Sequence, residues 1–110
     1  MKLDAPDIEI RYLQWNASKI EHIKEHNISP RQVEQVFIEG KYLAGEGKKS
    51  KLLIHGRCGR RLLTVVLAQE NGSYYVITAR NMNRKERERY YEIYTKEDDK
   101  QQKNSRVQIL

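Results

Sequence analysis

The first regular pattern in the chain is an alternation of apolar and polar residues near its N-terminus. In "IEIRYLQW", residues 8–15, apolar side chains from Ile8 to Tyr12 alternate with charged ones. This two-residue period is typical of a β-strand that buries one face. We therefore expect residues 8–15 to form the first strand.

Two helices are expected to follow this strand. Asn16 has a side chain suited to capping a short helix that ends near Asn27. The stretch "SPRQVEQVFIEG", residues 29–40, has stronger signals, because Ser29 and the glutamine three positions later have capping-box spacing and Gly40 suits the helix exit. The expected buried stripe of this second helix consists of Val33, Val36 and Phe37.

After Gly40 the pattern changes to four strand-like segments that are separated by turn residues. The segments are "KYLAGEG", "KLLIHGRC", "RLLTVVLAQE" and "SYYVITAR". Asn71 and Gly72, between the last two segments, form the strongest hairpin signal of the sequence. The pattern therefore predicts a meander of four strands.

A third helix is predicted from residue 83 to residue 94, where Asn83 and Glu86 have the spacing of a second capping box. The order β-α-α-β-β-β-β-α predicts an α+β fold. Its antiparallel sheet would carry two N-terminal helices and one C-terminal helix, all gathered on one face. We assign residues 1–94 to this single domain and residues 95–110, which are mostly polar, to a C-terminal tail.

The composition favours a soluble protein of a reducing cytoplasm. No apolar run approaches the roughly 20 residues that a membrane-spanning helix needs. The N-terminus, "MKLDAPDIEI", has acidic residues where a secretion signal has a basic segment followed by an apolar one. Cys58 is the single cysteine of the chain, so it has no internal partner for a disulfide or a zinc cluster.

Positive charge is concentrated in the middle and at the end of the domain. The chain has a formal net charge of +6. Residues 1–39 contain five Lys or Arg against seven Asp or Glu, whereas residues 40–94 contain twelve against five. These cations lie among strand and helix residues rather than in one uninterrupted run, which is typical of a folded surface that binds nucleic acid.

Strand periodicity predicts a common surface for several side chains that can bind phosphate. The apolar face of "YYVITAR" is expected to consist of Tyr75, Ile77 and Ala79. Arg80 would then point away from this face and from the helices that cover it. His55 and Arg57 share one face of their own strand. An open sheet face that carries these three residues and Thr78 has the donors to bind phosphate.

The last helix carries an acidic residue on the side expected to be buried. That side consists of Met82, Glu86, Tyr90 and Ile93. Two interpretations of Glu86 remain open: its carboxylate caps its own helix, or it holds Arg80 or acts as a catalytic carboxylate beside Tyr90. Arg84 and Arg87 on the neighbouring surface are either solvated charges or contacts to nucleic acid.

The sequence predicts neither a metal site nor a cofactor. It lacks the dense cluster of carboxylates that two-metal nucleases need. His22 and His26 have the spacing of two ligands on one helix face, but the glutamate of a zinc-protease motif does not follow His22.

Three motifs carry a resemblance to a known family. The first is "WNASKIEHIKEHNIS", residues 15–29; the second is the strand element with Ile54, Gly56 and Arg57; the third is "TARNMNRKERERYY", residues 78–91. Together they resemble the BrnT family of bacterial type II toxins, which are ribonucleases with a RelE-like fold.

This resemblance implies a metal-independent endoribonuclease that cleaves RNA and inhibits translation. It also implies a cognate antitoxin that neutralises the toxin, and a complex of the two that binds promoter DNA. Arg57 and Arg80 would hold and stabilise the phosphate, while Glu86 and Tyr90 would carry protons or organise Arg80. His55 is a further candidate for catalysis because of its strand position. The residues expected to contact RNA are Lys19, Arg84, Lys85 and Arg87.

The chain departs from the family pattern at five positions. These are Asn16 for the usual Asp, His22 for Asn, Asn27 for Gly, Thr78 for Ser, and Met82 for a small residue. Because Asn16 can still cap a helix and Thr78 keeps a hydroxyl, the departures affect the fold less than the activity. The alternative function is a non-catalytic domain that binds nucleic acid or another protein.

Overall fold

The computed structural model describes residues 8–95 and confirms the α+β fold class. The helices are α1 (Ala17–Lys24), α2 (Pro30–Glu39) and α3 (Arg84–Tyr90), and the strands are β1 (Leu13–Gln14), β2 (Leu43–Glu46), β3 (Leu52–Cys58), β4 (Arg61–Glu70) and β5 (Ser73–Asn81). A single π-helical turn, Tyr91–Thr95, follows α3. Beyond Thr95, the predicted polar tail lies outside the described residues. None of the helices between residues 8 and 95 is long and apolar enough to cross a membrane.

The sheet is mixed, with the strand order β1-β5-β4-β3-β2. Strands β2 to β5 form the predicted antiparallel meander. However, β1 pairs with β5 in parallel, so the prediction of a wholly antiparallel sheet is wrong. The chain leaves β1 through two helices and enters β2 at the opposite edge of the sheet, and such a crossover permits a parallel first strand.

The first strand is also shorter than the alternation indicated. Residues Ile10–Tyr12 form a 3-10 turn, in which the Tyr12 amide donates to the Glu9 carbonyl at 3.0 Å. Ile8 is buried, but Ile10 and Tyr12 are exposed. The predicted strand over residues 8–15 is therefore reduced to Leu13–Gln14, because local turn formation replaces the extended backbone.

The capping signals of α1 and α2 are confirmed. Asn16 Oδ1 accepts from the amides of Ser18 and Lys19 at 2.9 and 3.2 Å. Ser29 and Gln32 form both hydrogen bonds of the capping box, and Gly40 ends α2 with a φ of 74°, a left-handed conformation that glycine adopts without strain. The predicted stripe of α2 is buried: Val33, Val36 and Phe37.

A glycine of β3 allows α2 to pack closely against the sheet. A Cβ atom at Gly56 would lie 2.5 Å from Val36 Cγ1 and 2.9 Å from Tyr42 Cβ. No side chain fits into that space. The close approach of α2 to β3 thus explains the glycine of the Ile-x-Gly-Arg motif.

A β-bulge interrupts the alternation of β5. Val76 pairs with Leu67 and Ala79 pairs with Val65, although their separation of three residues should place them on opposite faces. Both side chains are buried in the same core, whereas Tyr75 is 38% exposed. The predicted buried face of Tyr75, Ile77 and Ala79 is therefore wrong for its first two members.

The third helix covers the opposite face of the sheet from α1 and α2. Leu63 and its same-face neighbours belong to the large core with α1 and α2, but the adjacent Leu62 packs with Met82 and Tyr90 in a second cluster. The prediction that all helices share one face is wrong, because the apolar side of α3 packs against the second face of the sheet. Part of that second face stays open, and its partly exposed residues include Leu53, Val66, Ala68, Ile77 and Thr78.

Candidate active site

The candidate site is built around Glu86 in the first turn of α3. The Asn83 side chain accepts from the Glu86 amide, and the Glu86 carboxylate accepts from the Asn83 amide, both at 2.9 Å. This capping box was predicted from the sequence, and it fixes the carboxylate against the sheet instead of leaving it in solvent. The Glu86 side chain is only 14% exposed.

Arg80 and Glu86 form a two-pronged ion pair. Arg80 Nη1 donates to Glu86 Oε1 at 2.8 Å and Nη2 donates to Oε2 at 2.9 Å. The buried Thr64 hydroxyl donates to Oε1 at 2.9 Å. The Glu86 carboxylate therefore does both things that the sequence left open as alternatives: it caps its own helix, and it holds Arg80.

These hydrogen bonds determine the ionisation of the pair. Hydrogen bonds, first from Arg80 and then from the Asn83 amide and Thr64, lower the pKa of Glu86 to about 2 against an opposing effect of burial. The hydrogen bonding between Arg80 and Glu86 also raises the pKa of Arg80. Glu86 is therefore a carboxylate at neutral pH and has no proton to donate.

Two donors of Arg80 remain available on the side of the guanidinium away from Glu86. A guanidinium has five N–H donors in a fixed plane. In Arg80, Nη1 uses both of its hydrogens, on Glu86 and on the Asn81 carbonyl at 3.1 Å, and Nη2 uses one. Within residues 8–95, the Nε hydrogen and the second Nη2 hydrogen have no acceptor. They form a second fork, of the shape that binds two phosphate oxygens, and the Arg80 side chain is 38% exposed.

His55 lies in the same row of side chains. His55 is paired with Thr64 across β3 and β4, and Thr64 with Arg80 across β4 and β5, so the strand register, which alternation alone does not give, brings His55 and Arg80 into one row. His55 Nε2 lies 3.3 Å from Glu86 Oε2, although the angle between them is poor and neither ring nitrogen has a hydrogen-bond partner.

Burial determines the protonation state of His55. The residue is 4% exposed. Burial lowers its pKa, and this effect outweighs the attraction of Glu86. His55 is therefore neutral at pH 7 and is able to accept a proton.

Arg57 does not join this cluster. Its Nε lies 3.5 Å from Oε1 of Glu39, the last residue of α2, and Glu39 Oε2 accepts from the Gly59 amide at 2.7 Å. Arg57 is paired with Leu62 of β4, one row away on the same face from the row of His55, Thr64 and Arg80. The two arginines expected to act together thus belong to separate ion pairs.

Tyr90 is a packing residue. Its side chain is fully buried, and its hydroxyl donates to the Lys41 carbonyl at 2.6 Å. Its ring packs against Tyr94 at 5.2 Å between centroids. We therefore assign Tyr90 no proton transfer, since its hydroxyl is directed at the backbone before β2 and not at Glu86.

The residues expected to contact RNA lie in two places. Arg84, Lys85 and Arg87 are exposed on α3. Arg84 Nε lies 3.7 Å from Glu88 Oε2, and Arg87 donates to the Met82 carbonyl at 2.8 Å. Lys19 instead lines a cleft beside β1 and the start of α1.

Sequence reasoning missed Thr64 and Arg61. Thr64 is the one polar residue inside "LLTVVLA" of β4, and this interruption was the available signal. Arg61 donates to the carbonyls of His26 and Asn27 at 2.9 and 2.6 Å and to Asn81 Oδ1 at 3.0 Å, so it holds the loop between α1 and α2. No motif distinguished it from other cations.

Side chains of the kinds that bind metal ions do not form a cluster in the part of the chain that the structure describes. Groups of three or more His, Cys, Asp or Glu side chains able to hold an ion are absent from residues 8–95. The rings of His22 and His26 contact each other edge to face, with centroids 5.6 Å apart. A third ligand does not join them.

The comparisons with known proteins give no family assignment. No protein-family model matches the chain, and no curated protein matches it. Functional inference therefore depends on the geometry of the Arg80, Glu86 and His55 cluster and on the motifs of the sequence.

Proposed function

We propose that the chain is the toxin of a type II toxin–antitoxin system: a cytoplasmic, metal-independent endoribonuclease of BrnT type that inhibits translation. The observation that supports it is the unused fork of Arg80, whose guanidinium is fixed by Glu86 through its other donors. The net charge of residues 40–94 favours a polyanionic substrate.

RNA can be cleaved when its 2′-hydroxyl attacks the adjacent phosphorus, forms a cyclic phosphate and expels the 5′-oxygen. An enzyme has to hold the phosphate, accept the proton of the 2′-hydroxyl, let the departing 5′-oxygen gain a proton and stabilise the added negative charge. Solvent water supplies that last proton in this proposal. Arg80 would bind two phosphate oxygens through Nε and Nη2. Glu86 would act as a positioning residue, since it fixes the guanidinium and has no proton to give at pH 7.

Neutral His55 is the proton acceptor in this proposal. Its Nε2 is 3.3 Å from the Glu86 carboxylate, which would stabilise the imidazolium that forms. Because His55 is almost fully buried, the 2′-hydroxyl has to enter between α3 and the open part of the sheet. Arg57 would add a second cation, but it first has to leave Glu39.

The test is cleavage of structured and unstructured RNA by purified protein, with and without a chelator. We expect activity that the chelator leaves unchanged, and a loss of about 100-fold or more in Arg80→Ala, since losing one charge-stabilising donor commonly costs that much. Arg80→Lys should restore little, because lysine has no planar fork. The control for the loss of a cation is Arg84→Ala, an exposed arginine of α3 that lies outside the cluster. Rates are compared below the melting temperature of every variant, because Arg80→Ala also breaks the ion pair with Glu86.

Activity that a chelator abolishes and Mg²⁺ restores would overturn the mechanism. The toxicity and the antitoxin partner are tested in cells. Expression of the chain should arrest translation, and co-expression of the antitoxin encoded beside it should relieve the arrest. Purification of that complex then allows its binding to promoter DNA to be measured.

A second candidate function is a non-catalytic domain that binds nucleic acid or another protein. It is favoured by the full use of the Glu86 carboxylate within the fold and by the burial of Tyr90. This candidate predicts salt-sensitive binding to RNA without any cleavage. The cleavage assay above therefore discriminates between the two functions.

A further inference from the structure

The bulge in β5 brings a tyrosine onto the same sheet face as Arg80. Tyr75 and Arg80 are five residues apart, a spacing that places side chains on opposite faces of a regular strand. In this sheet Tyr75 pairs with Ala68 and Arg80 pairs with Thr64, and these two β4 residues share a face because they are four positions apart. Bulges commonly redirect a side chain in this way beside functional sites.

Tyr75 borders a cleft of about 310 Å³ at the edge of the sheet. The strand β1 is only two residues long, so its pairing with β5 ends at Tyr75. The cleft lies beyond the end of β1 and is also lined by Gln14, Lys19 and Glu70.

The chemistry of the lining suits a nucleobase better than a phosphate. The Tyr75 ring offers a stacking surface, and every base has a face that stacks on an aromatic ring. The Gln14 amide and the Glu70 carboxylate are groups that pair with the edges of bases. Because the single cation Lys19 is balanced by Glu70, the cleft has no excess of positive charge to bind a phosphate group.

The cleft and Arg80 lie along one path on the sheet. Four residues of β4 separate the rows of Tyr75 and Arg80, which corresponds to about 13 Å. The surface between them carries Val66 and Thr78, which are paired and partly exposed. A single strand of RNA held at Arg80 would therefore reach the cleft with a base more than one nucleotide away.

We propose that this cleft is a subsite for one base of single-stranded RNA, stacked on Tyr75 and remote from the phosphate held by Arg80. The inference rests on the proposed ribonuclease function, which it deepens by naming single strands as the substrate class. Duplex RNA does not fit, since its bases are paired and its phosphates would meet the sheet first.

Binding is measured by fluorescence anisotropy of a 2′-O-methyl oligonucleotide, which cannot be cleaved through its 2′-oxygen. Tyr75→Ala should bind about 5- to 150-fold more weakly, the range found for the loss of one base stack, while Tyr75→Phe should bind like the wild type. The matched control is Tyr91→Ala, a tyrosine of similar exposure after α3, which should bind normally.

Salt dependence and base removal provide two further readouts. Tyr75→Ala should keep the wild-type salt dependence, since it removes no charge. In a series of oligonucleotides, each of which lacks the base at one position, one member should bind the wild type more weakly than the complete oligonucleotide does. Tyr75→Ala should bind that member and the complete oligonucleotide with equal affinity. Free mononucleotides should bind far more weakly than the oligonucleotide, because they cannot contact Arg80 and the cleft together.

Several results would overturn the subsite: wild-type affinity in Tyr75→Ala with unchanged melting temperature, equal binding of duplex and single strands, or a mononucleotide that binds as tightly as the oligonucleotide. Its failure is separable from failure of the proposed function. Cleavage with Tyr75-independent binding would reject only the subsite, whereas Tyr75-dependent binding without any cleavage would reject only the ribonuclease.

Discussion

Replacing Glu86 with glutamine removes one negative charge from the centre of the cluster. The side-chain amide oxygen that this substitution introduces still accepts from Thr64 and from the Asn83 amide, so the helix cap is kept. The interaction that disappears is the two-pronged ion pair with Arg80, whose bonds measure 2.8 and 2.9 Å. Glu86→Gln therefore removes the charge and replaces the oxygen that accepts from Arg80 Nη2 by an NH2 donor, while it keeps the oxygen that caps the helix.

The magnitude follows from the pKa of Glu86. An ordinary glutamate has a pKa of 4.5, and the hydrogen bonds from Arg80, the Asn83 amide and Thr64 together lower the pKa of Glu86 to about 2. Because each factor of ten in the acid constant corresponds to 1.36 kcal/mol, the folded state gains about 3 kcal/mol at pH 7 from the carboxylate. Because glutamine keeps the bonds from Thr64 and the Asn83 amide, and because Arg80 is partly exposed to solvent, we expect Glu86→Gln to lose about 1 to 2 kcal/mol of this stability. It should melt about 4 to 16 °C lower, at 4 to 8 °C per kcal/mol for a domain of this size.

The assay is denaturant unfolding of both proteins between pH 7 and pH 2. A pKa that folding lowers contributes stability above the unfolded value of 4.5, and this stability is lost as the pH falls toward about 2. The difference between wild type and Glu86→Gln should thus be constant from pH 7 to about pH 5 and then shrink.

The control is Glu88→Gln on the same helix. Glu88 pairs with Arg84 at 3.7 Å, but both side chains are largely exposed, so its loss should cost less than about 1 kcal/mol. If the two variants lost equal stability, or if the Glu86→Gln difference did not shrink in acid, the Arg80–Glu86 ion pair would not be a source of the stability of the fold.

Three further predictions concern stability and its dependence on pH. Gly56→Ala should destabilise the fold by about 1 to 3 kcal/mol in thermal melts, because its Cβ would lie 2.5 Å from Val36 Cγ1. Tyr90→Phe should lower the free energy of unfolding by about 1 to 2 kcal/mol, because the hydrogen bond to the Lys41 carbonyl is lost, and should leave the cleavage rate unchanged below its melting temperature. A lower cleavage rate without any loss of stability would instead indicate a catalytic role for Tyr90. Since burial lowers the pKa of His55, wild-type stability should fall as the pH drops below 6.5, and His55→Gln should not show this slope in unfolding titrations.

The sequence predicted best those features that involve neighbouring residues. The caps of all three helices depend on contacts within four positions, such as the bond from the Ser29 amide to Gln32 at 2.9 Å. The hairpin turn at Asn71 and Gly72 is similarly local, and both residues have the positive φ angles that such a turn needs. Asn27 has a φ of 59°, which asparagine tolerates better than most residues, so an asparagine is compatible with the fold at this position, where glycine is usual in the family that the sequence resembles.

Features that depend on distant parts of the chain could not be predicted. The bulge in β5 arises where β4 and β5 both have to bury side chains against α1 and α2, and alternation within one strand cannot show it. The same limit explains why the candidate site was predicted only in part. His55 and Arg80 were placed on suitable faces, but the partnership of Arg57 with Glu39 requires knowing that α2 ends beside the turn after β3.

The position of Arg80 combines a structural and a proposed chemical role without a conflict between them. Its two terminal nitrogens hold Glu86 and so connect β5 to α3, while the edge formed by Nε and Nη2 stays open. An arginine can serve both uses because its donors point in different directions within one plane. A lysine has donors on a single atom, so a phosphate and Glu86 would compete for it. The residue at this position therefore has to be an arginine, and not just any cation, to stabilise α3 and to bind a phosphate in the proposed way at the same time.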